Sequence, residues 1–235
     1  MKWIAFQFIA LFTFFSLFFT SHQWVWANPG ASKQSRFKQL FTADQPISSL
    51  GELNRLLKMQ QPFESHINPD MHFGTYLIHK VNFAPANRIK KIIEKLKDLE
   101  LTDRGEAHIT VLTPPEHDAI KAAIPEFSME KVNEAVKNWI QFTDWKVLGV
   151  GAARGQNFQN KYTEVYFLVV KSKELRFVRN LIARMYRIPK NIFDPKKQDF
   201  HITLGFTESD MFGIPKDGTS LDSDLTFEKL FNARL

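Results

Sequence analysis

The chain contains no cysteine in 235 residues. That excludes disulfides, thiolate metal sites and cysteine nucleophiles, and it leaves the redox compartment open. There is no glycine-rich phosphate loop and no Gly-x-Ser-x-Gly elbow. A His-x-His-x-His run, which one class of nucleotide hydrolases requires, is also missing. Histidines spaced to hold a metal are lacking too: His66 and His72 stand six apart in a loop-like stretch, and His79 and His117 are isolated. No metal and no cofactor is therefore expected. After the first apolar run no stretch is long enough to cross a membrane.

What is present begins with that run. Residues 1–27 read as a secretory signal peptide: Lys2 is a short basic start, Trp3 to Phe19 is almost wholly apolar, and Val25-Trp26-Ala27 offers a cleavage site after Ala27. The alternative is an uncleaved N-terminal anchor. Either way the remainder is expected outside the cytoplasm, periplasmic or secreted, with no stable membrane span after cleavage. The length that remains suits one domain. The formal net charge of +6 fits an anionic substrate and equally an ordinary basic protein.

The strongest signal is a tripeptide used twice, His108-Ile109-Thr110 and His201-Ile202-Thr203. With seven histidines and thirteen threonines, roughly 0.4 such triplets are expected by chance, so one alone would mean little. Both lie in alternating, β-branched stretches that read as strands. Residues two apart in a strand share a face, so each His stands beside its Thr while each Ile turns into a core. Taken singly, each His would more often be an ordinary strand residue, and each Thr a simple β-former.

The flanks repeat as well. A helix is expected from about 50 to 60, with the capping-box spacing Ser49-x-x-Glu52, and residues 60–70 read as a loop. A strand over 73–83, a helix opened by Pro85 and the His108 strand, ended by Pro114-Pro115, follow in order. A helix over 128–140 and a hairpin of strands 145–154 and 162–170 come next. The hairpin's second strand leads into a helix capped by Ser172, a loop over 189–197 and the His201 strand. Strand, helix, strand ending in His-x-Thr thus occurs twice, with Tyr76 lying 32 residues before His108 and Tyr166 lying 35 before His201. The short apolar end near 225–231 has no assigned type. The expected division is 1–27 signal peptide, 28–71 N-terminal extension with one helix, and 72–235 a two-lobed domain with lobes of about 72–127 and 128–235.

These paired motifs resemble those of the 2H phosphoesterase superfamily, and the run from His108 to Glu116 is most similar to its Swiss-army-knife RNA repair-like branch. The resemblance covers about residues 72–207. It implies an α+β fold of two similar lobes with mainly antiparallel sheets, helices outside and a central cleft between the motifs. It further implies a metal-independent phosphodiesterase acting on 2′,3′-cyclic nucleotides or RNA ends, with His108, Thr110, His201 and Thr203 as the catalytic set. A monomer acting on a nucleotide or RNA phosphodiester is expected; the rival is a non-catalytic nucleotide- or RNA-binding protein on the same fold. Arg154, Lys196 and Lys197 could attract a phosphate, and Tyr76, Tyr166 and Phe206 could stack on a base. Surface and core, respectively, are the expected placements for these six.

Overall fold

The computed structural model describes residues 47–59, 62–67, 74–157 and 159–233, apart from the side chains of 140–142. The expected signal peptide, and residues 28–46 of the expected extension, lie outside the described residues. The elements in order are α1 (Leu50–Leu57), β1 (Phe63–His66), β2 (Tyr76–Val81), α2 (Phe83–Lys97), β3 (Ala107–Leu112), α3 (Pro114–Ala123) and α4 (Met129–Val136). A 3-10 segment (Lys137–Phe142), β4 (Lys146–Gln156), β5 (Tyr162–Lys171), α5 (Lys173–Met185), β6 (His201–Phe206), a 3-10 turn (Gly218–Ser220) and α6 (Phe227–Asn232) complete the described residues. The protein is α+β, as expected from the sequence. Among the described residues no helix is long and apolar enough to cross a membrane.

The six strands form one sheet in the order β1-β2-β3-β6-β5-β4, with every neighbouring pair antiparallel. The order is palindromic. Each half runs from an edge strand, through the strand that precedes the crossover helix, to the strand carrying a His-x-Thr motif. The halves meet at the β3–β6 seam, where Ile109 faces Ile202. Both isoleucines are fully buried, so truncating either to alanine would cost about 2–5 kcal/mol. Helix α2 reaches across the seam onto β6, and α5 reaches onto β3. Neither half is closed without the other's helix.

The repetition extends to the backbone irregularities. The register slips by one between β2 and β3, so that Ile78 faces Thr110 and Leu77 faces Leu112. An identical slip separates β5 and β6, where Phe167 faces Thr203 and Tyr166 faces Gly205. A bulge thus follows each motif Thr at the same place. Bulges bend a strand and re-aim its side chains, and they gather beside functional sites. Gly205 also admits a close neighbour: a Cβ there would lie 2.9 Å from the Thr102 carbonyl oxygen. That backbone pairs with Phe206, Thr102 N donating to Phe206 O at 2.9 Å and Phe206 N returning the bond at 3.0 Å.

Three local expectations change. Residues 63–66, read as loop, form the edge strand β1, because β2 supplies a pairing partner that propensity cannot reveal. Pro114-Pro115 ends β3 but also opens α3, a helix the sequence reading passed over. Thr113 and Glu116 form a reciprocal capping box around the prolines, whose missing N–H groups cost nothing in a first turn. Pro85, expected to open α2, sits in its first turn; Asn82 is the cap.

Candidate active site

The motif side chains are placed by the seam. Antiparallel pairing about Ile109–Ile202 sets His108 opposite Thr203 and Thr110 opposite His201. Since the two isoleucines are buried on one face, the four polar residues share the other, and all four remain partly exposed. Opposed residues in such a pair have Cβ atoms about 5 Å apart, and diagonal ones stand about 7 Å apart. The two imidazoles occupy one diagonal of this quartet and the two hydroxyls the other. His108 and Thr203 together line a small notch of about 10 Å³ with Asp103, Arg104, Glu106 and Phe206. That is room for about one water molecule.

The two histidines have different surroundings. His201 Nδ1 lies 2.9 Å from the Asp199 carbonyl oxygen. A carbonyl only accepts, so Nδ1 carries the proton, and Nε2 of the neutral ring keeps its lone pair. Burial first, and the nearby Lys216 ammonium second, push the His201 pKa down. The ring packs edge-on against Phe167, with centroids 5.8 Å apart. Phe167, Val165 and Val169 form the apolar floor beneath it. Both effects favour the neutral ring.

His108 stands beside a carboxylate instead. Its Nδ1 is 3.1 Å from Glu106 Oε1, although the approach lacks hydrogen-bond alignment. The Glu106 carboxyl is held below its ordinary range, first of all by His108. Tyr76 lies next to His108, with ring centroids 6.3 Å apart, and stacks on His66 at 4.6 Å. Burial, and secondarily Glu106, raise the Tyr76 pKa.

Behind the quartet lies an ionic group that sequence reasoning missed. Lys216 Nζ donates to Asp210 Oδ1 at 2.8 Å, and Arg104 Nη2 donates to Asp210 Oδ2 at 3.0 Å. Lys216 and Asp210 are buried. Asp103 and Glu106 stand at the same notch, so charges of both signs surround it.

The other weighed residues fall elsewhere. Arg154 is bound to Glu164 at 3.2 Å and Asp222 at 2.9 Å, over the Tyr166 ring. Tyr166 is buried, and its hydroxyl donates to Glu164. Lys196 and Lys197 are exposed. Of the three aromatics, Tyr76 and Phe206 reach the quartet's surroundings. His79 points away from it, into the core, where burial drives its pKa down to about 4. His117 pairs with Asp118 at 2.9 Å, and His72 lies outside the described residues.

A sheet whose two halves each offer an imidazole and a hydroxyl at one seam defines a class of two-histidine phosphoester-processing proteins. The family described as Swiss Army Knife, 2H phosphoesterase domain, matches residues 77–212. The chain belongs to that family. No curated protein and no solved structure matches it. Membership implies phosphoesterase chemistry on a phosphodiester substrate.

Proposed function

We propose that this protein is an exported phosphodiesterase that hydrolyses 2′,3′-cyclic phosphates of nucleotides or RNA ends without a metal ion, using His108, Thr110, His201 and Thr203. The observation that carries the reading is the quartet: two imidazoles on one diagonal and two hydroxyls on the other, on one face of adjacent strands. Export rests on the composition of residues 1–27. It is tested by asking whether the cell envelope or medium contains a chain beginning at Asn28.

The surroundings of each ring suggest its task. Neutral His201, with its Nδ1 proton fixed on the Asp199 carbonyl, takes a proton from the attacking water at Nε2. His108, with the Glu106 carboxylate 3.1 Å from its Nδ1, gives a proton to the departing ribose oxygen. Water supplies the oxygen that joins phosphorus, the cyclic ester bond breaks, and a phosphomonoester leaves with the neighbouring hydroxyl restored. Thr110 and Thr203 donate to the non-bridging oxygens, where charge accumulates in the transition state. Proton transfer by a positioned side chain is worth about 10²–10⁴-fold in rate.

The test is a panel of 2′,3′- and 3′,5′-cyclic nucleotides with the product position identified. Turnover of the 2′,3′ series that survives EDTA is expected. His108→Ala and His201→Ala should each lower kcat by about 10²–10⁴-fold with the circular dichroism spectrum unchanged. Binding of these nucleotides with no turnover by the wild type would mean a binding protein on a phosphoesterase fold. Loss of all activity on chelation would contradict the two-histidine scheme.

A further inference from the structure

The two motif histidines are held in different ways. His201 is fixed by the hydrogen bond from Nδ1 to the Asp199 carbonyl and by the ring of Phe167, which faces Thr203 in the register. In the first half the residue that faces Thr110 is Ile78, which has no ring. His108 Nδ1 is buried and makes no aligned hydrogen bond. Glu106 Oε1 stands 3.1 Å from that nitrogen, but without a hydrogen-bond direction the contact leaves the plane of the imidazole unset. Neither device that orients His201 is repeated for His108.

A different residue lies against its ring. Tyr76 stands across the bulge between Leu77 and Ile78, with its ring centroid 6.3 Å from that of His108 and a tilt of 40°. Behind Tyr76 is His66 on the edge strand β1, its partner in the β1–β2 register. These two rings are 4.6 Å apart and nearly parallel, at 9°. Rings at such spacing attract one another and prefer defined relative orientations. His66 Nε2 is buried without a hydrogen-bond partner, so His66 offers Tyr76 the face of its ring. The row His66, Tyr76, His108 thus runs from the edge of the sheet to the quartet.

We propose that Tyr76, backed by His66, is the positioning residue for His108: the row of rings sets the plane of the imidazole that serves as the acid. The inference rests on the phosphodiesterase reading above and adds two residues to it. It assigns the task to the ring of Tyr76 and not to its hydroxyl. Orientation matters here because a reacting group displaced by about 1 Å can lose about 10²-fold in rate. Strand β1, short and distant in sequence from both motifs, reaches the site through this one side chain.

The experiment measures kcat and KM of the full chain for a 2′,3′-cyclic nucleotide in variants that keep or remove each ring. Tyr76→Leu should lower kcat by about ten- to a hundredfold with KM within about twofold. Tyr76→Phe, which keeps the ring, should stay within about threefold of the wild type. His66→Ala should lower kcat by about three- to tenfold, and His66→Phe should restore it. Since His66 acts through Tyr76, His66→Ala should add nothing once Tyr76→Leu is in place. A loss in Tyr76→Phe as large as in Tyr76→Leu would shift the effect to the hydroxyl and overturn the proposal. Additive losses in the double variant, or a His66→Phe chain no better than His66→Ala, would overturn it too. Side-chain NMR relaxation of the His108 ring separates this claim from the catalytic one. Greater ring mobility in Tyr76→Leu, with no hydrolysis by the wild type, strikes the catalytic reading alone, whereas unchanged mobility strikes the row of rings. His66→Ala, at a half-buried edge position, carries the same measurement where Tyr76→Leu does not fold.

Discussion

The two halves of the sheet share a backbone and differ in what they do to a histidine. Both place an acidic residue two positions before it, Glu106 in one half and Asp199 in the other. In the first half the Glu106 carboxylate itself meets Nδ1. In the second the Asp199 backbone carbonyl takes that place, and the adjacent charge is the Lys216 ammonium. One pattern of strands thus gives one ring a carboxylate neighbour and the other a carbonyl and an ammonium. A symmetric scaffold explains why two imidazoles meet at one seam. Only the departures from symmetry distinguish the two rings, as the proposed acid and base on one phosphodiester require.

The stapling of the halves differs as well. In the second half, Arg179 on α5 is fully buried and uses every donor. Nε donates to Pro195 O, Nη1 to Val111 O and Glu116, and Nη2 to Glu116 and Asp194 O. It ties the loop before β6 to the end of β3 and to the cap of α3. In the first half Lys90 holds Asp103 and the Leu101 carbonyl before β3, and Glu94 accepts from Leu101 N at 2.9 Å. Arg179→Met should make the halves alike in this respect. It would leave Glu116 and several carbonyls without their partner, at a cost of about 3–5 kcal/mol in urea unfolding. Lys90→Met, more exposed and less connected, should cost far less.

The core behind the motifs offers a second way to equalise the halves. His79 faces Ile109 where Leu168 faces Ile202. Its pKa of about 4 lies below the unfolded value of about 6.5. The unfolded chain therefore binds more protons between those values. The stability that His79 contributes is complete above the unfolded value and is lost as pH falls through about 4. The loss is at most about 3 kcal/mol. His79→Leu should flatten this acid slope in unfolding free energy against pH; an unchanged slope would contradict a buried neutral ring.

Two changes near the quartet sharpen the contrast between the rings. Glu106→Gln keeps the shape but removes the carboxylate beside His108, and kcat should fall by about ten- to a hundredfold with KM little altered. Lys216→Met removes a positive charge beside His201. Protonation of that ring then becomes easier, so the acidic limb of the rate profile should move to higher pH. Activity near neutrality should change by no more than a few-fold. A limb that stays in place would remove Lys216 from the account.

Much of this could be read from residues alone, within limits set by physics. The alternation in Glu106–Leu112 and Asp199–Phe206 places His and Thr on one face without any tertiary knowledge. The cap at Thr113-Pro114-Pro115-Glu116 was also visible, but two prolines dominate a reading that treats proline as a terminator. The ionic group could not be found this way. Lys216 lies in Ile214-Pro215-Lys216-Asp217-Gly218, which reads as an exposed turn. Its burial depends on Asp210 and, through it, on Arg104, more than a hundred residues earlier. The carboxyl side chain of Glu106 and the backbone carbonyl of Asp199 play matching parts, and no sequence pattern distinguishes a side-chain partner from a backbone one.

The central claim is that two unlike imidazoles serve one phosphodiester, and the pH dependence of kcat/KM for a 2′,3′-cyclic nucleotide tests it most directly. The wild type should give a bell, His201→Ala should abolish its acidic limb along with nearly all the rate, and His108→Ala should do the same to the alkaline limb. A wild-type rate in either variant, or the same limb lost in both, would contradict the account.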